Sequence, residues 1–160
     1  MSDSSSRNRS NSRKDLVGFL LGGVHYAIDI SSVWEILPPI EITQLPHTPP
    51  EVAGVAEYRG DVIPVIDLRV RFGLEPQEEG RSTKWIRIRT GEGASVGIIV
   101  DAVTEVFGRG EGLRPSPDIG GDKDRRGIAG VLTHEGKLTF VLDTARFTEL
   151  FDALAASGVL

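Results

Sequence analysis

Proton transfer near neutral pH and metal binding fall first to histidine, and this chain has three: His25, His47 and His134. No two of them stand at a ligand spacing such as i, i+4 on a helix, so the pattern predicts no zinc centre. The absence of cysteine removes thiolate ligands, cysteine nucleophiles and disulfides together. Asp67 and Asp143 invite comparison with paired catalytic acids. Each, however, closes a β-branched or leucine-rich run and precedes a helical pattern, which is where an N-cap carboxylate accepts an unpaired backbone N–H. There is no Gly-Lys-Ser/Thr phosphate loop, no Gly-x-Ser-x-Gly elbow and no dinucleotide fingerprint, and the 19 glycines mark turns instead. The sequence therefore predicts a non-enzyme with no catalytic, cofactor or metal residue.

What remains is recognition. Val52–Leu68 reads VAGVAEYRGDVIPVIDL, two short apolar runs around a polar tip of Glu57, Tyr58, Arg59 and Gly60, and the arginine at that tip is a candidate contact. Trp34, beside Val33 and Ile36, is a candidate outward-facing aromatic of the kind favoured in partner interfaces. Trp85, Arg87 and Arg89 alternate along one strand face, which offers a second reading, a β-barrel that stacks single-stranded nucleic acid. Net charge speaks against it. The chain carries −5, and Met1–Asp15 is a Ser- and Arg-rich stretch of +2, leaving −7 on the remainder. Such a body repels phosphate backbones.

The elements that must position these residues are short and mostly extended. Leu16–Leu21 and His25–Ile30 form a hairpin through Gly22-Gly23, and Ser31-Ser32 caps a predicted helical turn over Val33–Leu37 that stops before Pro38-Pro39. Trp85–Arg89 reads as a strand with one buried side, Val96–Val100 as a strand buried on both. Gly108–Arg126 is the longest predicted loop, Ile128–Leu132 and Leu138–Leu142 pair through Glu135-Gly136, and Thr144–Ala156 has the spacing of a helix. No apolar run approaches the ~20 residues needed to cross a bilayer. Residues 1–15 contain no apolar signal region, so a cytoplasmic chain with a disordered tail is expected.

An internal repeat organises the rest. A shift of 70 lays Ala27, Ile28, Val33, Glu35 and Ile36 on Gly97, Ile98, Val103, Glu105 and Val106. A shift of 76 lays Val52, Gly54, Val55, Gly60, Val65 and Asp67 on Ile128, Gly130, Val131, Gly136, Val141 and Asp143. The pattern predicts two strand-rich units, each a small curled sheet or barrel, and places Glu135 where the first copy has Arg59.

With these stretches in hand, FLLGGVHYAIDISSVWEI, VAGVAEYRGDVIPVIDLR, VGIIVDAVTEV and GVLTHEGKLTFVLD, the sequence resembles the CheW-like chemotaxis coupling proteins over about Leu16 to Phe151. The resemblance implies a mainly β fold of two pseudo-repeated five-stranded β-barrel-like subdomains with short helices and a C-terminal helix. Residues 1–15 would be a tail, 16–152 the CheW-like domain and 153–160 a tail or helix end. It implies a non-catalytic adaptor between the cytoplasmic tip of a methyl-accepting chemoreceptor and the regulatory domain of a CheA-like histidine kinase, located in the cytoplasm at receptor arrays. It implies no nucleic acid and no membrane insertion. The family's Asn-Leu-Arg-Gly arginine falls on Arg59, with Glu57 and Tyr58 replacing the first two residues, which assigns receptor binding to Arg59, Tyr58 and Glu57. Val33 and Glu35 fall on positions linked in the family to kinase and receptor contacts, which assigns kinase binding to Val33, Glu35 and the Trp34 between them. Receptor and kinase are expected on different faces, with a receptor helix in an apolar groove that has Arg59 at its rim.

Overall fold

Among the described residues, runs of β-branched residues between Gly, Pro and Asp turns make ten strands and little helix. The computed structural model describes residues 15–90, 93–110, 112–116 and 127–146. In chain order the strands are β1 (Asp15–Leu21), β2 (Val24–Asp29), β3 (Val33–Leu37), β4 (Val52–Tyr58) and β5 (Asp61–Asp67), then a short helix α1 (Leu68–Arg71). They continue with β6 (Lys84–Arg89), β7 (Ser95–Val100), β8 (Ala102–Gly108), β9 (Ile128–His134) and β10 (Lys137–Leu142). Asp67 caps α1 as expected, accepting from the Arg69 N–H at 3.0 Å. Asp143 does the same for a helix that begins at residues 144–146, accepting from Ala145 N–H at 3.0 Å. The remainder of that predicted helix, the N-terminal tail before residue 15, the C-terminal 153–160 and most of the long loop lie outside the described residues.

Two expectations change. Val33–Leu37 is a strand, not a helical turn. Asp29 caps a single 3-10 turn at Ile30–Ser32 instead, accepting from Ser31 N–H. The Val33/Ile36 spacing fits either period, but burial alternates along the stretch and strand pairing with β6 decides it. The structure also adds β8, where the sequence reading assigns no element.

The larger change concerns the repeat. There are two five-stranded sheets, ordered β8-β1-β2-β10-β9 and β3-β6-β7-β5-β4. The repeats, β1–β5 and β6–β10, are not the sheets. Each copy leaves two strands in one sheet and three in the other, so β3 crosses over to pair with β6 and β8 crosses back to pair with β1. The exchange is symmetric to the residue: Val141 faces Ala27 in the parallel β10–β2 pair, and Val65 faces Gly97 in the parallel β5–β7 pair.

Three apolar clusters follow from this arrangement. The one between the sheets contains Val17, Phe19, Leu21, Tyr26 and Ile28 from one side and Ile66, Ile86, Ile88, Val96, Ile98 and Val100 from the other. Each fully buried side chain there contributes roughly 1.5–3 kcal/mol relative to exposure. Each sheet also curls over a core of its own. In the first, Leu16, Ala27, Leu132 and Val141 pack with Phe107; in the second, Leu37, Ala56, Val65 and Trp85 pack together, joining edge strands β3 and β4. Across each hairpin a strap of chain pairs with the backbone, Thr43 with Val55 and Arg114 with Val131. Gly54, at φ 144°, lies beneath the first strap, where a Cβ would collide with the Thr43 carbonyl oxygen.

Candidate functional site

The β4–β5 hairpin closes with two residues, Arg59 and Gly60, both left-handed at φ 52° and 85°. That twist matches the flanking strands, which is why such turns demand positive φ, and asparagine or glycine are the usual occupants. Glu135 and Gly136 repeat the geometry in the other copy at φ 50° and 76°. The frame therefore accepts a long charged residue at this corner in both copies and leaves its identity open. Arg59 projects into solvent with 74 % of its side chain exposed, its guanidinium 4.9 Å from the Tyr58 ring centroid. Val62, 68 % exposed, stands beside it on β5, paired across the ladder with Glu57.

The β3 edge reaches the same place. The β3–β6 register slips between Val33 and Glu35, so Trp34 is the extra residue of a bulge and both Trp34 and Glu35 lie against Arg87. Arg87 is almost wholly buried, with 4 % of its side chain exposed. Its Nη1 donates to Glu35 Oε2 at 3.1 Å, its Nη2 to Asp61 Oδ2 at 2.9 Å and its Nε to Ser95 Oγ at 2.8 Å. The Trp34 ring lies over this guanidinium at 3.9 Å, with Arg89 at 5.3 Å. Glu35 Oε1 is 3.9 Å from Arg59 Nη1. The carboxylate thus stands between a fixed buried cation and a free exposed one.

The structure therefore brings Arg59, Tyr58, Glu35 and Trp34 onto one contiguous surface, with Ile36 and Val62 exposed on its strands, where the sequence suggested two separate faces. Val33 is half-buried and packs against the core between the sheets. The nucleic-acid platform does not form: Trp85 and Arg87 are buried at 2 % and 3 %, leaving Arg89 alone on the surface. Both faces of β6 are covered because the sheet curls, which an alternating pattern does not reveal. A cleft of about 400 Å³ runs past Ile42, Arg69, Trp85, Ile99 and the 77–83 loop, and Arg59 does not line it. Arg87 is the residue that sequence reasoning misassigned. Its two carboxylate acceptors lie 52 and 26 residues away, and with Lys84 and Arg89 on the same strand nothing local marks Arg87 as the buried one.

A second ion pair, Arg69 with Asp101, ties the two sheets together. Asp101, where β7 passes to β8, receives Arg69 Nε at 2.8 Å, Arg69 Nη2 at 2.7 Å and the Gly22 N–H at 2.8 Å. Burial pushes the Asp101 carboxyl up, but the Arg69 hydrogen bonds, the Gly22 N–H and the Arg69 charge outweigh it and hold it below the usual carboxylate range. On the opposite hairpin, His134 Nε2 meets Glu105 Oε1 at 2.7 Å while its ring stacks on Phe107 at 3.8 Å. Glu105, His134 and Glu135 bring their ligand atoms within 4.8 Å of one another, a grouping of β8 with the end of β9 and its turn that spacing along the chain does not reveal. Among the described residues, no helix is long and apolar enough to cross a membrane.

A family model described as CheW-like domain matches residues 15–151. The chain is 37 % identical over 91 residues to a chemotaxis protein CheW of Helicobacter pylori, a match covering 57 % of this chain and 54 % of that protein. It is 30 % identical over 138 residues to a chemotaxis protein CheW of Rhizobium meliloti, covering 86 % and 88 %. The scaffolding protein TtCheW from Thermoanaerobacter tengcongensis superposes with a TM-score of 0.73 at 32 % identity, covering 82 % of this chain and 89 % of that one.

Proposed function

The chain belongs to the CheW-like family, and from that membership we propose that it is a non-catalytic adaptor joining the cytoplasmic tip of a methyl-accepting chemoreceptor to the regulatory domain of a CheA-like histidine kinase. It works in the cytoplasm, at receptor arrays, as part of chemosensory signalling. The observation that carries the reading at the residue level is the surface around the β4–β5 corner. An exposed guanidinium, Arg59, lies 4.9 Å from the Tyr58 ring centroid and 3.9 Å from Glu35, next to which on β3 stands exposed Trp34; Ile36 and Val62 are also exposed, on strands β3 and β5. Aromatic and arginine anchors with an apolar surround are the composition of a protein interface.

In this reading Arg59, with Tyr58 and Glu57, contacts the receptor, and Glu35, Trp34 and Val33 contact the kinase domain. The two candidate sites share a border through Glu35. Binding of one partner then acts on the carboxylate and the indole that the other partner uses, and the coupling is reciprocal by linkage. The signal passes as a change in how two bound states are populated, with no bond made or broken.

The test is titration of the purified chain with a receptor-tip fragment and, separately, with the kinase regulatory domain. Arg59→Ala is expected to weaken receptor binding about 10- to 100-fold, the range of an interface anchor, with an unchanged melting temperature. Glu35→Ala is expected to weaken kinase binding. Wild-type affinity for the receptor tip in folded Arg59→Ala removes the arginine from the site, and failure of the wild-type chain to bind either partner removes the adaptor reading.

A further inference from the structure

A charged side chain buried to the extent of Arg87 calls for a reason, because taking a guanidinium out of water is costly unless its donors are matched. Here they are matched: Glu35, Asp61 and Ser95 accept, and Trp34 covers the face. The fold itself has no need of the charge. In the other copy of the repeat, Thr104 and Glu105 stand where Trp34 and Glu35 do, and the residue of β1 facing them is Gly18. A Cβ there would meet Thr104 Oγ1 at 2.5 Å and Phe107 at 3.1 Å, so an arginine has been dispensed with altogether. What differs next is the glutamate. Glu105, with no arginine facing it from β1, is taken up by its own hairpin at 2.7 Å from His134. Glu35, with Arg87 beneath it, leaves its hairpin's Arg59 at 3.9 Å and mostly in solvent.

We propose that Arg87 is a positioning residue that holds Glu35 back from Arg59 and so keeps the Arg59 guanidinium free for a carboxylate of the receptor tip. The proposal rests on the adaptor reading for the identity of that partner, but not for the effect inside the free protein. One carboxylate faces two cations. Arg87 is fixed by its other acceptors and by the indole, and it engages Oε2 at 3.1 Å. Arg59 hangs on a flexible exposed stem. Without Arg87, Arg59 becomes the cation nearest to Glu35, and the pair closes as Glu105 and His134 do. Arg59 is then occupied inside its own chain. The remedy for that loss is removal of the charge at Glu35, whereas damage to packing would not respond to it.

The experiment compares wild type, Arg87→Met, Arg87→Lys and the double variant Arg87→Met/Glu35→Gln. In the free protein, the Arg59 Nε–H signal in NMR is expected to exchange with water several-fold more slowly in Arg87→Met and to return to the wild-type rate in the double variant. Affinity for the receptor-tip fragment is expected to fall about tenfold in Arg87→Met, within the usual range of coupling between sites, and to recover in the double variant. Arg87→Lys, which keeps a cation beside Glu35, is expected to match wild type in both measurements and decides the matter if Arg87→Met does not fold. Unchanged exchange in Arg87→Met, no recovery in the double variant, or a lysine variant with slowed exchange each overturns the proposal. If the wild-type chain binds no receptor tip, the adaptor reading fails while the exchange measurement still decides what Arg87 does.

Discussion

Replacing Asp101 by asparagine strikes the point where both sheets meet a single side chain. Its carboxylate accepts from Arg69 Nε at 2.8 Å, Arg69 Nη2 at 2.7 Å and Gly22 N–H at 2.8 Å, so it joins the end of α1 to the β1–β2 turn. Hydrogen bonds to charged groups contribute about 1.5–3 kcal/mol each. Two corrections lower the total. Asparagine keeps one acceptor, and the side chains of Arg69 and Asp101 are 16 % and 26 % exposed, so water replaces part of what is lost. The expected cost is ~2 kcal/mol, or about 4–8 °C in melting temperature for a chain of this size. The pH dependence gives the sharper check. Because the folded-state pKa of Asp101 lies below its ordinary value, its contribution is complete above the unfolded carboxyl pKa of about 3.9 and is lost as pH falls through the folded value. Urea titrations followed by tryptophan fluorescence should therefore show a full gap between wild type and Asp101→Asn at pH 7 and a shrinking one below about pH 4, where protonated aspartic acid resembles asparagine. A gap that is the same at pH 7 and at acid pH, or one below ~0.5 kcal/mol throughout, which is the range of an ordinary surface substitution, refutes the reasoning.

Other expectations are simpler. Gly54→Ala should cost about 3 kcal/mol or more, since a left-handed φ and a clash with the Thr43 strap act together; thermal denaturation measures it. Gly60→Ala, at φ 85° with no atom within 4 Å of the added carbon, should cost only about 1 kcal/mol in the same assay. Trp34→Ala should lower stability by about 1–2 kcal/mol, from the lost face over Arg87, and chemical denaturation at pH 7 checks it. Arg59→Ala should leave the denaturation midpoint within about 0.5 kcal/mol of wild type, because its contacts are exposed.

Local signals carried much of the fold. The β4–β5 and β9–β10 hairpins, the caps at Asp67 and Asp143 and the doubly buried β7 rest on turn chemistry and short apolar runs, all of which act over a few residues. Val33–Leu37 misled because five residues fit both periods, and the choice was made by β6, which lies 50 residues on. The repeat was visible as matched residues, but matching says nothing of which strand pairs with which, so the exchange of β3 and β8 between sheets was hidden. Arg59 was legible as the residue left over once the hairpin's frame was explained. Arg87 was not, because an arginine alternating with isoleucines reads as solvent-facing until curvature closes the sheet over it. The cleft past Ile42, Arg69 and Trp85 was not legible either, because its lining comes from four separate stretches of chain, and Arg59 does not line it.

The crossed strands have a consequence for any attempt to divide the chain. A cut in the loop between α1 and β6 separates β1–β5 from β6–β10, yet neither fragment then owns a whole sheet. Each would present open strand edges and half of a core, a combination with little independent stability in water. The fragments should find each other and rebuild the native register, as the two halves of a split reporter do. A single copy of the repeat alone would face the same need, and a second identical chain would meet it. The two halves are related within one chain as the protomers of a strand-swapped pair are between two, and the buried Arg87 of one half has Gly18 as its counterpart in the other.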